Sequence, residues 1–150
     1  MSEWPVRGAF PHQHGDARGL VERIEAQLGE RIEEALEMAA LKLMVDLRAA
    51  TGRPAPESTS PADRAEFQTT TRALLARLRE AFLAELPDEL RPRFAAAEGA
   101  TGDELAGQVF LARQLPDYWQ RLERYQREDA ERRLAEARRP GWLTRLFGAR

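Results

Sequence analysis

The residues whose types could support chemistry lie near the start of the chain, where His12-Gln13-His14 is followed by Asp16. In an extended segment, side chains two residues apart point the same way, so both imidazoles could bind one metal ion. The chain has no other His and no Cys to complete a ligand set. We therefore interpret this segment as a solvated polar arm. A metal-dependent enzyme that uses His12 and His14 is a remote alternative.

The sequence lacks the common signatures of catalysis. Its single Lys, Lys42, lies between two leucines and belongs to no phosphate-binding loop, and GxSxG, HExxH and GxGxxG motifs do not occur. The absence of Cys excludes thiol nucleophiles, thiolate zinc sites and disulfides. The acidic pairs Glu33-Glu34 and Asp103-Glu104 are predicted on an exposed helix face and in a first turn, where they serve solvation and complement the helix dipole. We expect no enzymatic activity, no catalytic residues, no cofactor and no bound metal.

The most informative segment is residues 140–150, which read PGWLTRLFGAR. Pro140 and Gly141 are expected to detach this segment from the preceding helix. In a helix, the apolar residues at positions 142, 143, 146 and 147 share one face, and arginines flank it. That pattern is typical of a helix that lies in the plane of a membrane surface. The predicted membrane- or partner-binding residues are Arg138, Arg139, Trp142, Leu143, Arg145, Leu146 and Phe147.

Residues 141–148, GWLTRLFG, resemble the C-terminal membrane-targeting sequence of MinD-type cell-division ATPases, which reads approximately GFLxRLFG. The resemblance implies a peripheral membrane role. It covers eight residues, and the rest of the chain lacks the phosphate loop and the strands of those ATPases, so it implies nothing about nucleotide hydrolysis. Three contacts remain open for the tail: an anionic membrane, a groove on a partner protein, or the helical body of the same chain.

The composition indicates helices. The chain has 4 Val, 2 Ile and 7 Thr against 25 Ala, 19 Leu, 18 Glu and 22 Arg, and the latter residue types favour helices over strands. β-Sandwiches, β-barrels and Rossmann-type sheets are therefore excluded, and 150 residues correspond to one ordinary domain. We predict an all-α bundle of four to five helices at residues 16–139, between an extended N-terminal arm (1–15) and a short amphipathic C-terminal helix (140–150).

The charge distribution argues against nucleic acid as a partner. Residues 16–120 are net acidic, whereas residues 121–150 contain nine arginines and five acidic residues. A DNA-binding domain usually presents a basic face throughout, whereas a basic end suits contact with an anionic surface. No membrane span and no signal peptide are evident. We therefore expect a cytoplasmic protein, which would be peripheral at the inner face of the membrane if its tail meets lipid.

Apolar periodicity predicts a first helix from Asp16, as its N-cap, to Ala50, with Gly52 as the C-terminal cap. Its second half, Leu36 to Leu47, is apolar almost all round and is predicted to be the central core helix. The predicted apolar stripe comprises Leu20, Ile24, Leu28, Ile32, Leu36, Ala39, Leu43 and Leu47.

Cap and breaker residues divide the remainder of the body. Ser60 as N-cap and Pro61 predict the start of a second helix that ends near Glu85. The further predictions are a short helix from Asp88 to Glu98, a helix capped by Thr101 with Glu104 as its capping-box partner, and a last helix after Pro116. The predicted shared core is Leu43, Leu47, Leu74, Leu78, Phe82, Val109, Trp119 and Leu122.

Two helical segments, 20–35 and 126–137, have stripes too narrow for a monomer core. We expect them to pair with each other or with a second copy across a two-fold axis, which would make the protein a homo-oligomer.

The leading functional hypothesis is a non-enzymatic adaptor or assembly factor, recruited by its tail to an anionic membrane or a protein partner. The alternative is a structural subunit of an oligomeric assembly, in which the tail and an arm carrying Trp4 and Phe10 dock into neighbouring subunits.

Overall fold

The structure, a computed structural model, describes residues 13–101 and 103–139. All regular secondary structure in these ranges is helical, which confirms the predicted all-α bundle. The elements are α1 (Gln13–Ala50), α2 (Pro61–Glu85), a 3₁₀ turn (Asp88–Leu90), α3 (Arg91–Thr101), α4 (Glu104–Gln114) and α5 (Tyr118–Ala137). The predicted arm up to residue 12 and the predicted tail from residue 140 lie outside the described residues, while residues 13–15 are already helical.

The connection between α1 and α2 follows the predicted cap residues. Gly52 has a φ of 73°, and the backbone N–H of Arg53 donates to the carbonyl of Arg48 at 2.8 Å, which closes the end of α1. At the start of α2, the Ser60 hydroxyl accepts a hydrogen bond from the Asp63 backbone N–H at 3.2 Å. These two caps reverse the chain, so α2 returns antiparallel to α1.

The Arg48 side chain stabilises the connection between α1 and α2. Its guanidinium is buried and donates to Asp63 at 2.8 Å and to Glu66 at 2.7 Å, both on the first turns of α2. A third donor contacts the carbonyl of Pro54 in the linker, at 3.4 Å. One buried arginine thus joins the end of α1, the linker and the start of α2.

The last two helices cover different parts of α1. The N-terminal half of α1 contacts α4, since an ion pair joins Glu25 to Arg113 and Gly29 lies beside Val109. Along α5, Trp119 lies beneath the Arg31 guanidinium, whereas Leu134 lines a cleft with α1 residues 39–46. Helix α5 therefore runs parallel to α1 and approaches its C-terminal half.

One apolar core joins the helices. Its buried members are Ile32, Leu36, Ala40, Leu74, Leu78, Phe82, Leu86, Phe94, Leu111, Leu115, Tyr118, Leu122 and Tyr125. Of the eight predicted core residues, Leu43, Leu74, Leu78, Phe82 and Leu122 are buried. The other three, Leu47, Val109 and Trp119, are half-buried, and Val109 and Trp119 pack against the buried core.

Two predicted helix caps are wrong. Asp16 lies inside α1 rather than at its N-cap, and Thr101 is the last residue of α3 rather than the cap of α4. The N-cap of α4 is Asp103, whose side chain accepts a hydrogen bond from the Leu105 backbone N–H at 2.9 Å. Asp caps a helix at least as well as Thr, so the helix can begin there while α3 continues to residue 101.

The predicted pairing of segments 20–35 and 126–137 within one chain is also wrong. The polar half of α5 lies instead beside Ala39, Lys42 and Asp46 of α1, where Gln126 and Leu134 line the same cleft. The other predicted pairing, with a second copy, is unaffected by this finding.

Candidate interaction surfaces

Helix α5 is fixed at its start by aromatic packing and one buried hydrogen bond. The ring of Tyr118 stacks on Phe82 with centroids 5.1 Å apart, and Tyr125 meets Phe82 edge-on at 4.9 Å. The Tyr118 hydroxyl donates to the Gln108 side-chain oxygen at 2.7 Å, and both side chains are fully buried. Burial raises the pKa of Tyr118, so this phenol remains a neutral donor.

The middle of α5 is held to α2 by a buried carboxylate. The Asp129 side chain is 2% exposed and contacts three arginines. Arg133 Nε lies 3.0 Å away, Arg77 of α2 lies 3.6 Å away, and Arg132 makes a closer contact. Because a buried charge is tolerated only when it is paired, the cluster fixes the rotation of α5 about its axis.

A second ionic cluster joins the end of α2 to α5. Glu85 accepts hydrogen bonds from the Tyr125 hydroxyl and from Arg124, the latter at 3.1 Å. The Tyr125 hydrogen bond, with the nearby charges of Arg124 and Arg121, lowers the pKa of Glu85. A cleft of about 390 Å³ beside it is lined by both signs of charge, including Arg77, Glu80, Glu128 and Arg132. These pairings are typical of ion-pair networks that hold helices together.

The end of α5 presents two predicted binding residues. The helix ends at Ala137, and Arg138 and Arg139 follow it with exposed side chains. The other predicted tail residues, Trp142, Leu143, Arg145, Leu146 and Phe147, lie outside the described residues, as do Trp4 and Phe10 of the arm. The structure therefore places Arg138 and Arg139 at the surface, and the contacts of the tail stay a prediction.

A surface that the sequence analysis missed lies on the outer face of α1. The large apolar side chains that are exposed among the described residues all belong to this helix: Leu20, Val21, Ile24, Met38, Leu41 and Val45. We call this the α1 outer face. Leu20 and Ile24, which belong to the predicted apolar stripe, are exposed at 51% and 44%. From residue 20 to residue 36 the stripe repeats every four residues, and each such step turns 40° further round a helix of 3.6 residues per turn. Residue 20 therefore faces away from the core that residue 36 enters.

Comparisons of this chain with protein families, with curated proteins and with solved structures find no match. Within residues 13–101 and 103–139, no helix is long and apolar enough to cross a membrane. The same residues contain no group of three or more His, Asp or Glu side chains placed to hold a metal ion. His12 and the side chain of His14 are outside the described part of the chain. Function therefore has to be inferred from the surfaces of this chain alone.

Proposed function

We propose that the protein is a non-enzymatic adaptor or assembly factor that its C-terminal residues recruit to an anionic membrane surface. The observation that carries the proposal is the apolar and basic tail sequence that follows α5 at an exposed helix end. Tyr118 contacts Gln108 of α4, and Asp129 contacts Arg77 of α2, so α5 is held against the body and gives its C-terminal end a rigid support.

The tail supplies both kinds of attraction that a peripheral helix needs. Burial of its four large apolar side chains contributes at most roughly 1.5–3 kcal/mol each. Arginines near an anionic leaflet add about 1 kcal/mol each. Ordering so short a helix offsets much of this gain. A single tail is therefore expected to bind weakly and reversibly, which suits a recruited factor better than an anchored one.

The test is co-sedimentation of the full chain with vesicles of phosphatidylglycerol and phosphatidylcholine, compared with phosphatidylcholine alone. We expect binding to the anionic vesicles, strong reduction by Trp142→Ala, and reduction by the double variant Arg138→Glu/Arg139→Glu. The double variant Arg72→Glu/Arg127→Glu is the matched control, because it makes the same change of charge at two exposed positions outside the tail. Equal binding of the wild-type chain and Trp142→Ala, or no binding at all, would contradict the proposal.

Deletion of residues 140–150 separates recruitment from folding. If the tail acts as proposed, the deletion abolishes vesicle binding and leaves the melting temperature nearly unchanged. A fall of several degrees would instead show that the tail packs on its own body. Salt distinguishes the remaining alternative, since screening weakens a lipid contact through the arginines and barely affects docking into an apolar protein groove.

A further inference from the structure

The α1 outer face carries a regular seam. Its positions are spaced alternately by four and three residues, and every one of them is exposed: Leu20, Ile24, Gln27, Arg31, Glu34, Met38, Leu41 and Val45. This spacing repeats every seven residues, which is the a/d pattern that lets two helices pair along their length. The seam covers about three and a half heptads and spans about 38 Å of helix. It is therefore long enough for a two-stranded coiled coil.

We propose that the α1 outer face binds the same face of a second copy of this chain, with the two helices antiparallel. A two-fold axis between Ile32 and Glu33 then brings each seam position opposite a complementary one. The facing pairs are Leu20 with Val45, Ile24 with Leu41, Gln27 with Met38, and Arg31 with Glu34. Each pair forms twice, and each joins an a position to a d position, as antiparallel helices require.

Charge selects this direction over the parallel one. In an antiparallel pair, Arg31 of one copy faces Glu34 of the other, so opposite charges meet at the two central layers. In a parallel pair, Arg31 would face Arg31 and Glu34 would face Glu34, and both layers would repel. Arg31 is exposed, and its guanidinium lies 4.3 Å from the centre of the Trp119 ring of the same chain.

The other helices that the structure describes leave the seam open. Ile32, Leu36 and Leu43 point from α1 into the core, so the outer face lies on the opposite side of the helix. Met38, the first residue of the C-terminal apolar group of the seam, is 73% exposed. No part of the chain that the structure describes covers these side chains, and burying them would remove apolar surface from water.

The residues beside the seam set its strength. In the antiparallel register, Glu30 of one copy lies beside Glu37 of the other, on the same side of the helices. This like-charge contact limits affinity, so we expect a reversible dimer that dissociates on dilution. In a parallel pair, Glu37 would instead lie beside Lys42 of the other copy. A charge reversal at Glu37 therefore has opposite effects in the two arrangements.

The dimer does not rest on membrane recruitment, because the seam and the tail are separate parts of the chain. If both hold, a two-fold dimer carries two tails, and the weak contact of each is strengthened by avidity. If vesicle binding fails, the dimer is still expected in solution.

Disulfide trapping tests the register, and the chain has no native cysteine to interfere. Two single variants, Ile24→Cys and Leu41→Cys, are oxidised separately and as an equal mixture. The antiparallel register predicts a cross-linked dimer in the mixture and little in either variant alone, because a disulfide needs Cα atoms within about 7 Å. Cross-linking of Ile24→Cys alone would indicate the parallel arrangement and overturn the proposal.

Sedimentation velocity over a range of concentrations tests the surface without engineered bonds. Met38→Glu should raise the dissociation constant about 100-fold or more, because both copies lose an apolar seam residue. Ala76→Glu, at an exposed position of α2, is the control and should leave the constant unchanged. Glu37→Lys should tighten the dimer, since it replaces repulsion from Glu30 by attraction.

A wild-type chain that stays monomeric at all concentrations would overturn the proposal. If, in such a monomer, Met38→Glu also lowered the melting temperature, the face would be covered by the chain's own tail instead of a second copy. Weakening of a dimer by Glu37→Lys would likewise contradict the antiparallel register.

Discussion

Two buried glycines, Gly29 in α1 and Gly107 in α4, allow one substitution to test the packing of two helix pairs. Replacing either by Ala adds the same methyl group and the same gain in helix propensity. The surroundings differ. A Cβ on Gly29 would lie 3.7 Å from a methyl carbon of Val109, which is ordinary contact. A Cβ on Gly107 would lie 2.7 Å from both the Phe94 ring and the Glu98 side chain, which is a clash.

The two neighbours of Gly107 cannot move freely. Phe94 is 1% exposed and belongs to the core. Glu98 is held by Arg79 through two hydrogen bonds of 2.7 and 3.0 Å. Relieving the clash therefore requires α3 and α4 to separate or a core ring to leave its position, and overpacking of this kind costs about 1–3 kcal/mol.

The expected changes have opposite signs. Gly29→Ala should raise the free energy of unfolding by about 0.5–1 kcal/mol, because Ala is favoured over Gly inside a helix. Gly107→Ala gains the same helix propensity, but the clash costs more than this gain. The substitution should therefore lower the free energy of unfolding by about 1–2 kcal/mol. The difference between the variants isolates the tight α3–α4 contact from helix propensity.

Denaturation with urea, followed by circular dichroism at 222 nm, measures both values on the same chain. Phe94→Leu in the Gly107→Ala background is the coupling control, since a smaller side chain should recover part of the loss. If both glycine substitutions stabilise the protein equally, α3 and α4 are not packed as closely as described. If Gly29→Ala is the more destabilising, the close approach has been assigned to the wrong helix pair.

Three further outcomes follow from single contacts. Tyr118→Phe should lower the free energy of unfolding by about 1–3 kcal/mol, because the buried Gln108 oxygen loses its donor. Adding Gln108→Leu should restore much of this loss. Urea denaturation of the single and the double variant measures both effects. Leu78→Ala should cost about 2–5 kcal/mol in the same assay, and a loss below about 1 kcal/mol would show that this side chain is not core. The hydrogen bond from Arg48 lowers the pKa of Asp63 from its ordinary 3.8, so its contribution is present above that pH and is lost as the pH falls through the lower folded value. Asp63→Asn should therefore be less stable than the wild type near neutrality, and the difference in melting temperature should shrink as the pH falls. Thermal melts across that pH range measure this difference. A difference that stayed constant would show that the Arg48–Asp63 contact does not contribute as described.

The sequence predicts a helix boundary best where only one residue nearby can cap the helix. Ser60 followed by Pro61 admits a single start for α2, and Gly52 a single end for α1. Before α4, by contrast, both Thr101 and Asp103 can cap a helix, and local sequence does not decide between them. The start of α4 is decided by how far α3 continues, and that depends on the tertiary packing of Phe94 against α4.

Buried polar partners were beyond sequence reasoning for a different reason. Gln108 and Asp129 are polar residue types that usually lie at the surface, and the sequence does not show which partners would satisfy them if they were buried. Their partners are Tyr118, Arg77 and two other arginines, and the side chains of Tyr118 and Arg77 come from other helices. Only the assembled bundle brings these groups together, so the polar contacts that hold α5 could not be predicted from spacing.

Helix α1 was predicted correctly as a helix, but its predicted apolar stripe does not follow one face of it. Leu20, Ile24 and Ile32 were joined into one stripe because each is separated from the next by multiples of four residues. Repeated steps of four drift round a straight helix, whereas alternating steps of four and three stay on one side far longer. Applied to α1, the alternating rule separates an inner set that enters the core from an outer set that includes Met38 and Leu41. A helix with apolar residues on two faces needs two partners. The bundle supplies the partner of the inner face, and the charge pattern at the centre of the outer face favours a second α1 as the other.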